Sequence, residues 1–407
     1  MTSVTSERLD TMVGTLRHLY PNASLSFTQR LDPEAQGYRF VPSGANPRLA
    51  VPAGSAAAAS LTVQRPCASD TLVHTGRRTA LGYLLQRRWG KVLMPSGIGI
   101  HDSSDSIEQT LSEIFGQPVL LGLMTGSARA NRKPVLSVFS TDGEEIGFAK
   151  LGLGELASQL INDEHQALLA VQRQNNPSFR APRPIALADF GGNPLLVMSA
   201  LRPDVRQRRL WLPASAAEAI VNTASTYSTW VDGSPWMTGL RETLSAVQVP
   251  EAREIEILLS DLVQKFPTIP VRFGGAHGDF GPWNMARQGQ NLFVWDWERF
   301  SGDMPAGLDL YHFAVHELLR ANPTAAAAIK AFGAPDLRAG VLRLQGNLAH
   351  HDEHLQLLPL MYLAALATRF IADGAKYNVT DTFALGAGHL RLARELLTLT
   401  QGGTINV

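Results

Sequence analysis

The part of the sequence that most constrains the fold is a pair of neighbouring polar motifs. The first reads His-Gly-Asp-Phe-Gly-Pro-Trp-Asn at residues 277–284, and the second reads Asp-Trp-Glu at 296–298. The residues between them predict a β-hairpin with arms at Met285–Arg287 and Leu292–Trp295 and a turn at Gln288–Asn291. Because a short hairpin fixes where the chain returns, the two motifs are expected to meet at its open end.

The predicted hairpin brings three oxygen-bearing side chains together. Asn284 and Asp296 lie opposite each other at its base, about 5 Å apart at Cα, and Asp279 precedes them on a loop that contains glycine and proline. Carboxylate and amide oxygens are the ligands that Mg²⁺ prefers. The sequence therefore predicts a Mg²⁺ site at Asn284 and Asp296, with Asp279 left to orient or deprotonate a hydroxyl group.

Composition is typical of a globular protein and restricts the range of partners. The 407 residues suffice for two or three domains, and 45% hydrophobic and 18% charged residues are ordinary values. The formal net charge is zero, so nothing favours nucleic acid or an anionic membrane as a partner. A single cysteine, an N-terminus without an apolar signal segment and no run of about 20 apolar residues predict a cytoplasmic protein.

Residues 1–110 carry the weakest pattern. An amphipathic helix is predicted at residues 7–19, and short strands at Tyr38–Val41 and Leu61–Gln64. This region is expected to be an extra module, to which the sequence assigns no chemical role.

Residues 111–201 predict a small antiparallel sheet with one long helix. Strands are expected at Val119–Leu123, Pro134–Phe139, Ile146–Leu151 and 193–201, and a helix at Glu155–Arg173. The loop after the first strand contains Ser127 and basic residues. Two interpretations of this loop stay open, a phosphate-covering loop and an ordinary hairpin connection.

Two charged residues of this region are expected to meet. Lys150 ends the third strand on the face that also carries Phe148, which turns its ammonium group inwards. Glu164 occupies a helical row together with Leu160 and Leu168, where an unpaired carboxylate is costly. An ion pair between Lys150 and Glu164 resolves both placements; the alternative is that Glu164 reaches water at the edge of the apolar stripe.

Residues 202–407 predict a mostly helical domain. Helices are expected at 214–229, 252–266, from 307 towards 319, 355–372 and 384–398. His350 and His354 have the spacing of a helical zinc pair, but no third ligand is evident, so a polar helix start is the preferred interpretation.

These motifs together resemble the aminoglycoside phosphotransferase and choline kinase family. The resemblance rests on His-Gly-Asp, the asparagine five positions after that aspartate, the hairpin, Asp-Trp-Glu, and Gly-Leu-Asp-Leu at 307–310, and more loosely on Lys150 and Glu164. It covers roughly residues 115–400. It implies an α+β, bilobal protein-kinase-like fold: residues 111–201 as an antiparallel-sheet N-lobe, 202–407 as a mostly helical C-lobe, and 1–110 as the extra module.

The resemblance also implies roles for individual residues. Asp279 is expected to be the catalytic base, Asn284 and Asp296 to hold Mg²⁺, and Lys150, fixed by Glu164, to contact the phosphates of ATP or GTP. The resemblance further implies adenine contacts from Ser199 to Leu201, phosphate contacts from Ser127, and structural roles for His277 and Asp309.

The implied activity is phosphate transfer from ATP or GTP to a hydroxyl group of a small molecule. No Ala-Pro-Glu sequence or activation-loop pattern follows Asp296, which argues against a protein kinase. From Leu201 onward there are 20 acidic against 18 basic residues, so a sugar, a monoamino sugar or a natural-product hydroxyl fits at least as well as a polycationic aminoglycoside. The carboxylates suggested for an acceptor amine are Asp303, Glu317, Asp352 and Glu353. The alternative function is a non-catalytic kinase-like scaffold that binds a partner through residues 1–110.

Overall fold

The protein contains two compact units, described from a computed structural model. The residues described are 3–31, 36–42, 46–65, 72–87, 89, 92, 94–125, 133–174, 176–201, 211–346 and 350–401. The first unit, called the strand-rich unit, comprises residues 1–169, 181–208 and 286–288; the second, called the helical unit, comprises residues 170–180, 209–285 and 289–407. The predicted α+β class is confirmed.

A nine-stranded antiparallel sheet forms the strand-rich unit, in the order β1-β4-β2-β3-β5-β6-β7-β9-β8. The strands are β1 Ser24–Thr28, β2 Gly37–Val41, β3 Leu49–Pro52, β4 Gly97–His101, β5 Val119–Met124, β6 Val135–Ser140, β7 Glu145–Leu151, β8 Pro184–Phe190 and β9 Asn193–Ser199. The helices of this unit are α1 Ser3–Leu19, α2 Ala56–Gln64, α3 Leu72–Gln86, α4 Ile107–Phe115 and α5 Glu155–Arg173, which continues into the helical unit.

Residues 1–101 extend the same sheet that carries Lys150. Strand β3 pairs with β5, where Leu49 lies opposite Met124. One hydrophobic core, which includes Phe40 and Leu121, runs beneath both parts. The strands of residues 1–110 and of 111–201 therefore belong to one sheet and one core.

The strand predicted at Leu61–Gln64 is wrong, because these residues end helix α2. The Ser55 side chain accepts a hydrogen bond from the Ala58 N–H and caps the helix, and a run of alanines follows it. The cap and the alanines outweigh the β-propensity of Thr62 and Val63.

The helical unit contains eight further helices among its described residues and a three-stranded antiparallel sheet. The helices are α6 Ala214–Val221, α7 Pro235–Ser245, α8 Pro250–Lys265, α9 Leu308–Ala321, α10 Ala325–Phe332, α11 Pro335–Gln345, α12 His351–Lys376 and α13 Thr380–Gln401. The sheet consists of β10 Tyr227–Trp230, β11 Pro270–Ala276 and β14 Ser301–Pro305, in the order β10-β11-β14. The helix predicted at 214–229 is therefore wrong in its second half, where Tyr227 pairs with Phe273 across the sheet.

Helix α12 is the one described helix that is long and apolar enough to cross a membrane. However, 72% of its most apolar window is buried within the structure. Leu357, Leu358 and Leu363 on this helix are fully buried, as in the central helix of a protein core.

The predicted hairpin is present, with strands β12 Met285–Gln288 and β13 Asn291–Val294. Gly289 in the turn has a positive φ of 58°. At the base, the backbone N–H of Trp295 donates to the carbonyl oxygen of Asn284 at 3.1 Å. The chain therefore returns to Asn284 immediately before Asp296.

Candidate active site

Lys150 and Glu164 form a buried ion pair in the strand-rich unit. Lys150 Nζ lies 2.7 Å from both carboxylate oxygens of Glu164. The pair is almost completely shielded from water, since Glu164 is 1% exposed and Lys150 is 8% exposed. Strand β7 supplies the lysine and helix α5 the glutamate, so the predicted pairing is confirmed and the water-exposed alternative for Glu164 is excluded.

In the helical unit, Asp309 holds the backbone of the loop that carries Asp279. The N–H groups of His277 and Gly278 donate to its two carboxylate oxygens at 2.7 and 3.1 Å. Gly278 has a positive φ of 77°, and a Cβ atom there would lie 2.2 Å from the carbonyl oxygen of Arg299. Only glycine fits this position, which explains the central residue of the His-Gly-Asp motif.

His277 is a structural residue of the same loop. Its Nε2 lies 3.1 Å from the carbonyl oxygen of Trp295, and its Nδ1 accepts the N–H of Asp279 at 3.3 Å. Burial lowers the pKa of His277, and the two bonds together require the neutral ring with its proton on Nε2. The imidazole thus ties the loop to the strand end that precedes Asp296.

The carboxylate of Asp279 receives three side-chain N–H donors. Oδ2 accepts from Trp283 Nε1 at 3.2 Å and from Asn284 Nδ2 at 2.8 Å, and Oδ1 lies 3.0 Å from His312 Nε2. Burial by itself would raise the pKa of Asp279, but the hydrogen bond from His312, the charge of Arg369 and the bond from Trp283 hold it well below its usual range. The carboxylate is therefore ionised and fixed in orientation at neutral pH.

His312 acts as a neutral donor to Asp279. Burial lowers the pKa of His312 in spite of the adjacent carboxylate. Its Nδ1 lies 3.3 Å from the hydroxyl group of Tyr362, which can donate to the neutral ring. Sequence reasoning assigned no role to His312, although it follows Asp309 by three residues on helix α9 and so shares a helix face with it.

The oxygen atoms of Asn284 and Asp296 at the base of the hairpin are of the kind that bind a hard divalent cation. Asn284 spends its amide N–H₂ group on Asp279, donating to both the carboxylate and the backbone oxygen, and its amide oxygen is left as a possible ligand. Asp296, directly after Trp295, has the left-handed φ of 69°, a rare conformation for a residue with a side chain. Backbone strain of this kind is concentrated at ligand-binding positions, and an amide oxygen with a carboxylate matches the preference of Mg²⁺.

A cavity of about 420 Å³ lies beside this loop within the helical unit. Gly278, Asp309 and His312 form the part of its lining that contacts or flanks Asp279. Other lining residues come from helices α7 and α12 and strand β14 and include Trp236, Leu240 and Met304. The cavity volume is in the range of sites for small molecules.

The remaining predicted residues lie in several environments. Ser127 is outside the described residues. Ser199 ends β9, where its hydroxyl oxygen accepts the N–H of Arg183 at 2.9 Å, and Leu201 follows as a half-buried residue. Asp303 lines the cavity, whereas Glu317, Asp352 and Glu353 do not.

The two histidines considered for zinc, His350 and His354, lie in different environments. His354 is fully buried and its Nε2 lies 2.7 Å from the carbonyl oxygen of Pro270. His350 is 39% exposed and lies 3.8 Å from Glu353. This arrangement anchors helix α12 and agrees with the preferred interpretation of a polar helix start.

No protein-family model matches the sequence, and no curated protein matches it. Among solved structures, the chain is similar to a thermostable mutant of the aminoglycoside phosphotransferase APH(4)-Ia, with 16% identity, a TM-score of 0.48, and coverage of 73% of this chain and 100% of that chain. A structure described as a fructosamine-3-kinase from Haemophilus somnus has 14% identity and a TM-score of 0.45, and the match covers 72% of this chain and 96% of that chain. A choline/ethanolamine kinase family protein from Mesorhizobium loti has 13% identity and a TM-score of 0.43, and the match covers 69% of this chain and 92% of that chain. Kinases of the family that the motifs resemble are thus among the structures similar to this chain.

Proposed function

We propose that this protein is a Mg²⁺-dependent kinase that transfers the γ-phosphate of ATP or GTP to a hydroxyl group of a small molecule. The observation that carries the proposal is the fixed carboxylate of Asp279, which receives three N–H donors and stands next to Asn284 and a cavity. A carboxylate held in one orientation beside a cavity is suited to orient a hydroxyl nucleophile.

Asp279 is proposed to accept a hydrogen bond from the acceptor hydroxyl group and to take its proton. Because the pKa of Asp279 is held low, the proton passes to it late, once the oxygen–phosphorus bond is largely formed. Positioning thus contributes more than basicity, which agrees with the loose transition state of phosphoryl transfer.

Nucleotide contacts are proposed for Lys150 in the strand-rich unit, and metal ligands for Asn284 and Asp296 in the helical unit. The ammonium group of Lys150, oriented by Glu164, is proposed to donate to the phosphate oxygens of the nucleotide. The amide oxygen of Asn284 and the carboxylate of Asp296 would hold Mg²⁺. When bound, this ion neutralises charge on the β- and γ-phosphates. Ser199 and Leu201, at the end of β9, are the proposed contacts for the base of the nucleotide.

Nucleotide binding and phosphate transfer test the proposal directly. We expect ATP or GTP with Mg²⁺ to raise the melting temperature, and labelled γ-phosphate to appear on at least one member of a panel of sugars, amino sugars and natural-product alcohols. Asp296→Asn should abolish the increase in melting temperature and in phosphate transfer that Mg²⁺ produces. The matched control is Asp336→Asn, which changes an exposed carboxylate of the same unit on helix α11. Protein that binds neither nucleotide and labels no acceptor would refute the proposal.

A further inference from the structure

The cavity beside Asp279 contains two arginines among otherwise mostly uncharged residues. Its lining includes an apolar part with Trp236, Leu240 and Met304, and the guanidinium groups of Arg299 and Arg369. The Trp236 indole N–H is buried and has no hydrogen-bond partner among the described residues. The polar part of the lining therefore combines N–H donors with two carboxylates and three hydroxyl groups.

Each arginine uses only a small part of its hydrogen-bonding capacity within the helical unit. Arg369 Nη1 donates to the carbonyl oxygen of Gly278 at 2.8 Å, and Arg299 Nη2 donates to Asp373 at 3.0 Å. A guanidinium group has five N–H donors. No other acceptor for these two groups occurs in the described part of the chain, so several donors remain available for a ligand.

The two guanidinium groups also interact unfavourably with each other. Burial lowers the pKa of Arg369, and the positive charge of Arg299 lowers it further. Asp373 and Asp279 oppose this effect. Among the described residues, Asp373 is the one carboxylate hydrogen-bonded directly to either arginine.

The carboxylates of the cavity offer little to a cationic ligand. Asp309 uses both oxygens to bind the N–H groups of His277 and Gly278. Asp303 accepts the hydroxyl group of Tyr227 on Oδ1 at 3.1 Å, which leaves one oxygen for a ligand. Both carboxylates of the cavity are thus already hydrogen-bonded within the unit, whereas each arginine makes one hydrogen bond among the described residues.

We propose that the acceptor carries an anionic oxygen group, a carboxylate or a phosphate, which Arg299 and Arg369 bind while its hydroxyl group reaches Asp279. This assignment of the acceptor class rests on the proposed kinase function. Arginine suits both anions because its planar fork binds two oxygens at once. Arg369 also donates to the carbonyl oxygen of Gly278, the residue that precedes Asp279. The apolar part of the lining accommodates the carbon skeleton.

The test compares sugars that share one ring and differ in charge. Binding of glucuronate, glucose 6-phosphate, glucose and glucosamine is measured by calorimetry on the full chain, with a non-hydrolysable ATP analogue and Mg²⁺ present. We expect glucuronate or glucose 6-phosphate to bind more tightly than glucose, and glucosamine more weakly. The comparison of the two acids distinguishes a carboxylate from a phosphate.

Variants assign the preference to the arginines. Arg299→Gln should weaken binding of the preferred acid by about tenfold to a hundredfold and so lower the ratio of acid affinity to glucose affinity. Arg299→Lys keeps the positive charge but not the planar guanidinium group, and it should give an intermediate loss of affinity for the acid. This variant replaces Arg299→Gln in the test if the glutamine variant does not fold. The control is Arg394→Gln, because Arg394 makes a similar bond to Glu254 at 2.9 Å and does not line the cavity.

The outcomes separate this inference from the proposed function. If neither acid binds better than glucose, if glucosamine binds best, or if both Arg299 variants keep the preference for the acid, the anionic acceptor is refuted. Transfer of phosphate to neutral sugars alone would refute it too, while supporting the kinase function. Tight binding of an acid that depends on Arg299, with no phosphate transfer to any acceptor, would uphold the anion site and refute the kinase.

Discussion

Each of the two units holds in place one charged group to which the proposed function gives a role, and the two groups are stabilised in different ways. In the strand-rich unit, the charge of Lys150 is balanced by the opposite charge of Glu164, with 2.7 Å between the groups. In the helical unit, the carboxylate of Asp279 is stabilised mainly by N–H donors from Trp283, Asn284 and the neutral ring of His312. The first arrangement rests on an opposite charge, and the second spreads the stabilisation over several N–H donors.

This difference has a functional reason if the protein is a kinase. A lysine that binds phosphate must keep its positive charge, and a single buried carboxylate keeps it protonated and in place. A catalytic aspartate must stay accessible to a hydroxyl group, so a permanent cation on its free side would block it. Neutral donors fix the carboxylate of Asp279, and its side chain remains 28% exposed.

The largest effect should come from replacing the carboxylate of Asp279, to which Trp283, Asn284 and His312 donate. Asp279→Asn is expected to lower kcat by about 10²–10⁴-fold, because the amide can no longer take the proton of the hydroxyl group. Nucleotide affinity should change little, since Lys150, Asn284 and Asp296 are intact. Steady-state kinetics and calorimetry with ATP or GTP measure the two quantities.

The matched control for this variant is Asp303→Asn. Asp303 lines the same cavity but accepts only the hydroxyl group of Tyr227 among the contacts described. Its replacement should alter the KM for the acceptor without abolishing turnover. Full turnover by Asp279→Asn would show that the donor cluster is not the catalytic centre.

The second largest effect is expected from breaking the ion pair between Lys150 and Glu164. Lys150→Met leaves the carboxylate of Glu164 buried without its cation, which should lower the free energy of unfolding by about 3–5 kcal/mol. Adding Glu164→Leu removes the orphaned charge and should restore most of that stability, while nucleotide binding stays lost. Urea denaturation of the two variants and the wild type measures the free energies.

An exposed pair provides the reference for the ion-pair experiment. Arg394 and Glu254 lie 2.9 Å apart but are 42% and 46% exposed. Arg394→Met should therefore cost only about 0–1 kcal/mol. If Lys150→Met cost no more than this, the buried ion pair would not stabilise the strand-rich unit in the way that the comparison requires.

Local patterns predicted the ion pair well. Glu164 follows Lys150 by only 14 residues. The row of leucines around Glu164 fixes both the helix and the inward face, and the observed helix Glu155–Arg173 has the predicted limits. Similarly, the hairpin was predictable because its turn and arms are continuous in sequence.

The donor cluster was only partly predictable, because it depends on long-range packing. Asn284 belongs to the motif itself, but His312 lies 33 residues from Asp279, and Arg369 lies 91 residues from Gly278. A histidine or arginine on an amphipathic helix gives no sign of which loop it will meet. Strand β10 was missed for the same reason, since Tyr227 becomes a strand residue only through pairing with β11.

A third prediction tests whether the histidines near Asp279 are neutral, as the comparison requires. His312, His316 and His389 form a chain of stacked rings. Burial lowers the pKa of His389 to about 4, although its bond to the carbonyl oxygen of Leu385 opposes the shift. Because the folded pKa lies below the unfolded value of about 6.5, the unfolded state binds the proton first, and stability falls as the pH drops from about 6.5 to about 4.

His389→Gln should reduce this dependence on pH. The loss of unfolding free energy between pH 7 and pH 4 should be smaller than in the wild type by up to about 3 kcal/mol. His316, whose pKa burial lowers to about 3, remains and maintains part of the slope. Urea denaturation at both pH values gives the comparison, and an unchanged pH dependence in His389→Gln would mean that this ring is not held neutral.

The smallest effect should come from removing one donor from Asp279. His312→Leu deletes the N–H that lies 3.0 Å from Oδ1, and kcat should fall by roughly tenfold, the value of one hydrogen bond to a charged group. His312→Gln can still donate from its amide group and should recover much of the loss. Because Trp283 and Asn284 still hold the other oxygen, neither variant should approach the effect of Asp279→Asn. The affinity for nucleotide should not change, and KM for the acceptor should change less than kcat, since the loss lies in orientation of the carboxylate. A fall in kcat with His312→Leu as large as that with Asp279→Asn would instead show that one donor alone controls the carboxylate of Asp279.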